Sequence, residues 1–451
     1  MKRDFFEIHE VSVLDMANAR EMRLSMQKML LEKHKKPVLS FMLNIPGAVK
    51  SKPIFSEAFN EGIRRMLDVC RKNDIGIEET AVKKIFTGDE FYAVLNSNAK
   101  KIKTALVNAE ESDALGRLFD ADVIDTDGKK IAREEIGLEC RKCLLCGCPA
   151  HECSRSRKHT VLELTGKIES IICDWQRKKI EKISRFAMLS EVYATPKPGL
   201  VDRADNGAHT DMDIPLFEKS AQAVAPFIAH MYQTAFFWTD TLDMLFAKIR
   251  EIGRSAENAM FSATNGVNTH KGMIFTMGLL ASGAGFSAGH FLDWNAETAI
   301  DTAKEMAQNA LEADFAAMKK RPPKTHGEIL FSKYGERGIR GQALDGFPIL
   351  KNIALPFLRE LKKAAFDENE RNVMLLLKII AHLDDTNVLS RSSRESLEWL
   401  QGEAQAILGK NERIDMNAVS ELNRACIAKN ISPGGAADIL AVALFLEKIT
   451  E

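Results

Sequence analysis

The carboxy-terminal half of the chain leaves room for little besides helices. Apolar residues recur at helical spacing over 215–237, 239–262, 296–319, 370–383, 394–408, 416–429 and 436–449, with no alternating strand among them. The amino-terminal half reads differently. Leu14, Met22, Met26, Met29 and Leu30 follow a rough helical period over 13–32, and VLSFMLNI at 38–45 reads as a buried strand. Helix is expected over 56–69, strand over FYAVLN at 91–96 and helix again over 100–107. The expectation is therefore two domains, the first α/β and the second mostly all-α. From Val161 the residues Leu164, Ile168, Ile171, Ile172 and Trp175 form one stripe that would close the first domain, and a second stripe starts at Ile180. A boundary near 174–180 gives domains 1–177 and 178–451 without a Pro/Gly-rich linker.

At 451 residues the chain is long enough for two cores. A net charge of −1 with 28% charged residues supplies no global basic field, which argues against a dedicated nucleic-acid binder and for small charged ligands or protein partners. MKRDFFEIHEV at the start lacks an apolar signal core, and the longest clean apolar run, ILAVALFL at 439–446, falls short of the ~18 residues of a membrane span. A cytoplasmic location, away from membranes, is expected.

The stretch Glu191 to Asp213, EVYATPKPGLVDRADNGAHTDMD, has neither helical nor alternating period and reads as a working loop. Lys197 and Arg203 are suited to phosphate, while Asp202, Asp205, Asp211 and Asp213 add carboxylates around His209. The same half carries TNGVNTHKG at 264–272, GERGIRGQALDGF at 335–347, DDTNVLSR at 384–391 and ISPGGAAD at 431–438 between its helices. Ser432 suits an N-cap and Pro433 a first helical position, which would aim the N–H groups of Gly434, Gly435 and Ala436 at an anion. Thr269-His270-Lys271-Gly272 is a second such start. Helix capping explains each loop singly; their recurrence in one α domain points to a phosphate-rich ligand.

In the first half, Gly116-Arg117-Leu118-Phe119-Asp120-Ala121-Asp122 is the sharpest chemical signal. On a strand Asp120 and Asp122 share a face. That pair suits Mg²⁺ and in-line displacement at phosphorus, and the Gly116 turn before it can hold a triphosphate, the arrangement of a nucleotidyltransferase. Lys50 and Lys52, after the turn Asn44-Ile45-Pro46-Gly47, are weaker phosphate candidates. Five of the eight cysteines lie between Cys140 and Cys153, too clustered for a disulfide framework. Cys143, Cys146, Cys153 and His159 have the spacing of a Cys₃His zinc knuckle, with Cys140, Cys148 and His151 as competing ligands.

TPKPGLVDRADNGAHTDMD, GVNTHKG, GIRGQALDGFP, DTNVLSR and SPGGAADILA closely resemble, in order, the triphosphoribosyl-dephospho-CoA synthase family. NIPGAVK, TGDE, GRLFDADVID and the Cys/His segment ending RSRKHT resemble the apo-citrate lyase phosphoribosyl-dephospho-CoA transferase family. The pairing resembles the bifunctional fusion of the two. It departs from the pattern at Gln342, where Glu is expected, at Ser392-Ser393 for Gly-Gly, and at Ala132-Arg133 for Ser-Arg.

The resemblance implies synthesis and attachment of the citrate lyase prosthetic group. ATP and 3′-dephospho-CoA would give the triphosphoribosyl compound and adenine, with Asp211, Asp213, Asp384 and Asp385 as candidate bases and His209 as a further catalytic candidate. Lys197, Arg203, His270, Lys271, Gly434 and Gly435 would be at the phosphates, with Mg²⁺ on the triphosphate. A serine of the citrate lyase acyl-carrier subunit would then displace pyrophosphate, with Asp120 and Asp122 holding Mg²⁺ and Gly116 and Arg117 at the phosphates. Two rival readings are an ADP-ribosyl-type glycohydrolase fused to a nucleotidyltransferase, and a zinc-knuckle adaptor without activity.

Overall fold

The computed structural model describes residues 9–291, 293–323, 326–409 and 413–450. The first eight residues, part of the segment in which no signal core is read, lie outside the described residues. The chain divides between Gln176 and Arg177 into two compact units.

The amino-terminal unit is a four-stranded antiparallel sheet with helices on it. Its elements are α1 (Val13–His34), β1 (Val38–Leu43), α2 (Pro53–Lys72), β2 (Gly76–Lys83), β3 (Glu90–Asn96), α3 (Ala99–Glu111), β4 (Phe119–Ile124) and α4 (Ala150–Arg155). The strands run in the order β2-β3-β1-β4. On one face Val38, Tyr92 and Val94 pack with Leu30 of α1. On the other, the Phe41 ring stacks on Phe59 of α2 and meets Phe119 edge-on. A Cβ at Gly62 would fall 2.3 Å from the Phe41 ring, so α2 lies directly against the sheet.

The expected helices and strands of this unit are present, and β2 is an addition. It is an edge strand whose side chains are mostly exposed. Glu78 and Glu79 pair with Lys36, Lys33 and His34 instead of filling a core, which removes the apolar alternation that marks a half-buried strand.

α5 (Val161–Tyr193) corrects the reading of two stripes as a closing helix and a new start: it is one unbroken helix, with the division between the units inside it. No Pro or Gly lies between Trp175 and Ile180, and Gln, Arg and Lys there are good helix formers.

The carboxy-terminal unit is helical: α6 (Ile214–Phe236), α7 (Leu242–Ala263), α8 (Lys271–His290), α9 (Ala296–Met318), α10 (His326–Tyr334), α11 (Gly338–Leu344), α12 (Leu355–Lys363), α13 (Glu368–Ile380), α14 (Thr386–Arg391), α15 (Arg394–Leu408), α16 (Met416–Ala428) and α17 (Gly434–Thr450). α8 is its core and has no stripe to read, because it is buried nearly all round. Cβ atoms at Gly285 and Gly289 would meet the carbonyl oxygens of Tyr232 and Phe236 at 2.2 Å, so α6 and α8 approach backbone to backbone. Among the described residues α8 alone is long and apolar enough to cross a membrane, and 78% of that window is buried inside the structure.

Candidate active sites

In the amino-terminal unit Asp120 and Asp122 project from the same face of the edge strand β4, opposite Met42 and Ser40 of β1. Both are half-buried. Burial, then the Asp120 charge, holds the Asp122 carboxyl above the usual carboxylate range, although Lys130 Nζ lies 2.5 Å from its Oδ1. Two carboxylates that raise one another's cost of ionisation fit a divalent cation, which would relieve that cost.

Asp120 also lines a cavity of about 240 Å³ bounded by Arg20 and Arg23 of α1, the end of β1, Lys50, Ser56 and the turn Thr87-Gly88-Asp89. That volume is below the roughly 300–1,000 Å³ that encloses a drug-sized ligand, so it has room for a small group only. Gly88 turns the chain at φ +110°, which would strain a side chain, and a Cβ there would stand 3.9 Å from Lys50 Cβ. Gly116 and Arg117 do not line this cavity. Gly116 packs against the backbone of Ala109 and Glu110, and the Arg117 guanidinium donates to the Lys142 carbonyl at 2.7 Å. Both lie in the turn leading into β4 and brace the Asp strand rather than face the cavity. In the sequence Lys50 is a weak phosphate candidate, and Arg20 and Arg23 look like polar spacers on a helix.

The cysteine segment forms a tight knuckle. The Cys143 N–H donates to the Cys148 carbonyl at 2.7 Å, Gly147 turns the chain at φ +71°, and Cys153 stands on α4. Ligand atoms of Cys143, Cys146, Cys153 and His159 all lie within 4.8 Å of one another. Cys146 Sγ and Cys153 Sγ are 3.8 Å apart, the edge of a tetrahedron with bonds of about 2.3 Å to sulfur. His159 Nε2 is buried without a partner. The imidazole of His159 beside it brings the Cys146 thiol down to about 6, whereas burial, then Cys143 and Cys146, pushes Cys153 up to about 12. This donor set fits zinc. Cys148 instead lies 3.7 Å from Lys158 Nζ.

In the carboxy-terminal unit the Pro-Lys-Pro loop folds onto α16, the end of α14 and the residues that lead into α17. Gly199, at φ +68°, donates its N–H to Asn423 Oδ1 at 2.8 Å, and a Cβ there would stand 2.0 Å from the Ile431 carbonyl oxygen. His209 Nε2 lies 2.8 Å from Ser432 Oγ, and Arg391 donates to the Ala208 carbonyl at 2.7 Å. Burial and Arg391 hold the His209 imidazole below its ordinary range against the pull of Asp211.

Lys197 is buried and pairs with Glu191: its Nζ is 2.5 Å from Glu191 Oε1 and 2.8 Å from the Glu191 carbonyl. The ammonium is thereby neutralised inside the protein. The α17 start is likewise filled from within. Asp385 Oδ2 accepts the Ala436 N–H at 2.9 Å while Oδ1 accepts that of Asn387 at 2.8 Å, so the anion at Gly434-Gly435 is the protein's own carboxylate. Burial pushes Asp385 up to about 6 in spite of these donors.

Asp438, one turn into α17, is half-buried, and burial, then Glu191, then Asp385 raise its carboxyl well above the usual range. A Cβ at Gly272 would stand 2.2 Å from Asp438 Oδ2, which sets this carboxylate against the first turn of α8. There His270 is buried with Nδ1 2.6 Å from Ser220 Oγ and Nε2 unpartnered. Thr269 donates to Ser220, which leaves the Ser220 hydrogen for Nδ1 and the ring proton on Nε2. Burial, then Lys197, brings this imidazole down to about 3, so it is a neutral donor.

The other expected groups lie outside this cluster. Asp213 caps α6 at the Leu216 N–H, Asp384 is exposed near Arg394, Lys271 pairs with Glu257 and Arg203 lies over the Tyr193 ring. Asp211 is exposed, 3.8 Å from His209 Nδ1. Asp438 was missed, although a lone acid ahead of the apolar run ILAVALFL is itself a signal.

Residues 177–451 match the family model described as CitG, ATP:dephospho-CoA triphosphoribosyl transferase. Residues 11–175 match CitX, apo-citrate lyase phosphoribosyl-dephospho-CoA transferase. The chain is 34% identical to the protein CitXG of Leuconostoc mesenteroides subsp. cremoris, covering 99% of each chain. It is 31% identical to protein CitXG of Haemophilus influenzae, over 97% of this chain and 96% of that one. A probable 2-(5''-triphosphoribosyl)-3'-dephosphocoenzyme-A synthase of Pectobacterium carotovorum is 40% identical over 59% of this chain and 88% of its own.

Proposed function

The chain belongs to the ATP:dephospho-CoA triphosphoribosyl transferase family, in the form that carries a phosphoribosyl-dephospho-CoA transferase domain ahead of it, and we propose from this a division of labour between its units. The protein is a bifunctional transferase that makes the prosthetic group of citrate lyase and attaches it. Its substrates are ATP and 3′-dephospho-CoA, and the acceptor is the citrate lyase acyl-carrier subunit.

We assign the first step to residues 178–451. The 2′-hydroxyl of dephospho-CoA attacks the anomeric carbon of the ATP ribose; the new C–O bond forms as the C–N bond to adenine breaks, and adenine leaves with a proton. The base takes the hydroxyl proton while positive charge develops on the sugar. Asp438 is the carboxylate suited to that role, since Asp385 is committed to backbone N–H groups and Asp213 to a helix cap. A base works best with its pKa near the working pH, and the surroundings of Asp438 move it in that direction. Neutral His270 presents an N–H to the substrate, while exposed Arg203 and Lys271 remain for phosphate. Mg²⁺ would neutralise the triphosphate in this unit.

The second step we assign to residues 1–177, whose sheet we read as nucleotidyltransferase-like. Asp120 and Asp122 would hold Mg²⁺, which would supply charge stabilisation at the reacting phosphorus. Cys143, Cys146, Cys153 and His159 would hold Zn²⁺ as a structural ion. The observation that carries this assignment is the carboxylate pair on β4 with one member in a cation-lined cavity.

The test is purified protein with ATP and dephospho-CoA, following adenine and product mass, then with apo acyl-carrier subunit. Adenine release that needs dephospho-CoA supports the transferase; release without it identifies a hydrolase, and no release an adaptor.

A further inference from the structure

The cavity beside Asp120 gathers more positive charge than the strand motif accounts for. Arg20, Arg23 and Lys50 all line it, together with Asp89 and Asp120. Arg23 is tied down at its Nε and lies close enough to Tyr92 to feel its hydroxyl. Its Nε donates to Glu90 Oε1 at 2.8 Å, and Glu90 is fixed in turn by the Tyr92 hydroxyl at 2.6 Å. The other end of the guanidinium, Nη2, is buried with no partner in the protein. An unpaired, buried, charged N–H donor is costly unless a ligand completes it. Lys50 Nζ reaches back to the Ile45 carbonyl and stands close enough to Arg20 to feel its charge. Like charges converging on a cavity too small for a whole nucleotide describe a site for a compact polyanion.

We propose that Arg20, Arg23 and Lys50 form the pocket for the β- and γ-phosphates of the triphosphoribosyl donor, the part that leaves as pyrophosphate. This rests on the reading of the amino-terminal unit as the transferase that labels the carrier. In that step the seryl oxygen bonds to the α-phosphorus and the bond from α-phosphorus to the bridging oxygen breaks. The electron pair leaves on pyrophosphate, and the seryl proton is released to solvent. Negative charge grows on the leaving diphosphate as the bond breaks, so donors already fixed around it stabilise the transition state more than the ground state. Asp120 then marks the end of the pocket where the α-phosphorus reacts. The same pocket makes pyrophosphate a product inhibitor and explains why the donor must carry a triphosphate.

Two measurements on the full chain test the assignment. The first uses inorganic pyrophosphate alone: it should protect Lys50 from amine acylation, read by peptide mass, and Arg23→Gln should abolish that protection. No protection of Lys50 at millimolar pyrophosphate overturns the proposal whatever the enzyme's activity. The second supplies preformed triphosphoribosyl-dephospho-CoA and apo acyl-carrier subunit. Arg20→Gln and Lys50→Met should raise the inhibition constant for pyrophosphate at least about tenfold and slow labelling, with adenine release by the other unit unchanged. Unchanged inhibition in both variants, with wild type labelling the carrier, overturns the pocket and leaves the transferase reading intact. A wild type that protects Lys50 but never labels the carrier sinks the transferase reading and keeps the polyanion pocket.

Discussion

Asp385 Oδ2 accepts the Ala436 N–H at 2.9 Å, so the residue that caps α14 also closes the start of α17. One buried carboxylate thus ties together two loops that sequence reading treated as separate ligand sites. Asp385→Asn places an amide N–H₂ where N–H groups now converge and at about pH 4 should cost about 3 kcal/mol, read as a lower melting temperature.

The pH dependence of that variant has a definite sign. The Asp385 carboxyl is raised to about 6 in the folded protein, so the native state holds its proton more tightly than the unfolded chain. Its contribution is complete below about pH 4 and is lost as pH rises through about 6. Asparagine does not titrate. The stability gap between wild type and Asp385→Asn should therefore narrow from pH 4 to pH 7 in paired melting curves; a gap that widens contradicts the buried, strained carboxylate.

Gly272→Ala probes Asp438 without altering a titratable group. The added methyl would stand 2.2 Å from Asp438 Oδ2 and must displace it. Adenine release should fall at least about 10²-fold, as it should in Asp438→Asn, with carrier labelling from preformed donor retained. Normal release in both variants would remove Asp438 from the chemistry.

Cys146→Ser should strip the knuckle of metal. Elemental analysis should find about one zinc per wild-type chain and far less in the variant, with a lower melting transition for the amino-terminal unit and adenine release kept. A wild type free of zinc would contradict the tetrahedral reading of the 3.8 Å sulfur separation.

Much of this architecture was legible in the sequence because the signals were local. Helical period marked α6, α7, α9 and α13, and Asp120 and Asp122 share a strand face as an i, i+2 pair must. What escaped notice depends on partners distant in sequence. α8 is apolar all round, and β2 is polar at the sheet edge. Lys197 and the Gly434-Gly435 start read as free anion sites, since nothing in the loops announces that Glu191 and Asp385 already fill them. Arg23 looks like a surface residue until Glu90 fixes one end and leaves the other buried and unpaired.

The most direct test of the two-unit account is the mass of the acyl-carrier subunit after incubation with ATP, dephospho-CoA and either wild type or Asp120→Asn. Wild type should add the phosphoribosyl-dephospho-CoA mass to the carrier and release adenine and pyrophosphate. Asp120→Asn should release adenine at the wild-type rate, accumulate the free triphosphoribosyl compound and leave the carrier unmodified. Carrier labelled normally by Asp120→Asn, or adenine release lost with it, would contradict the account.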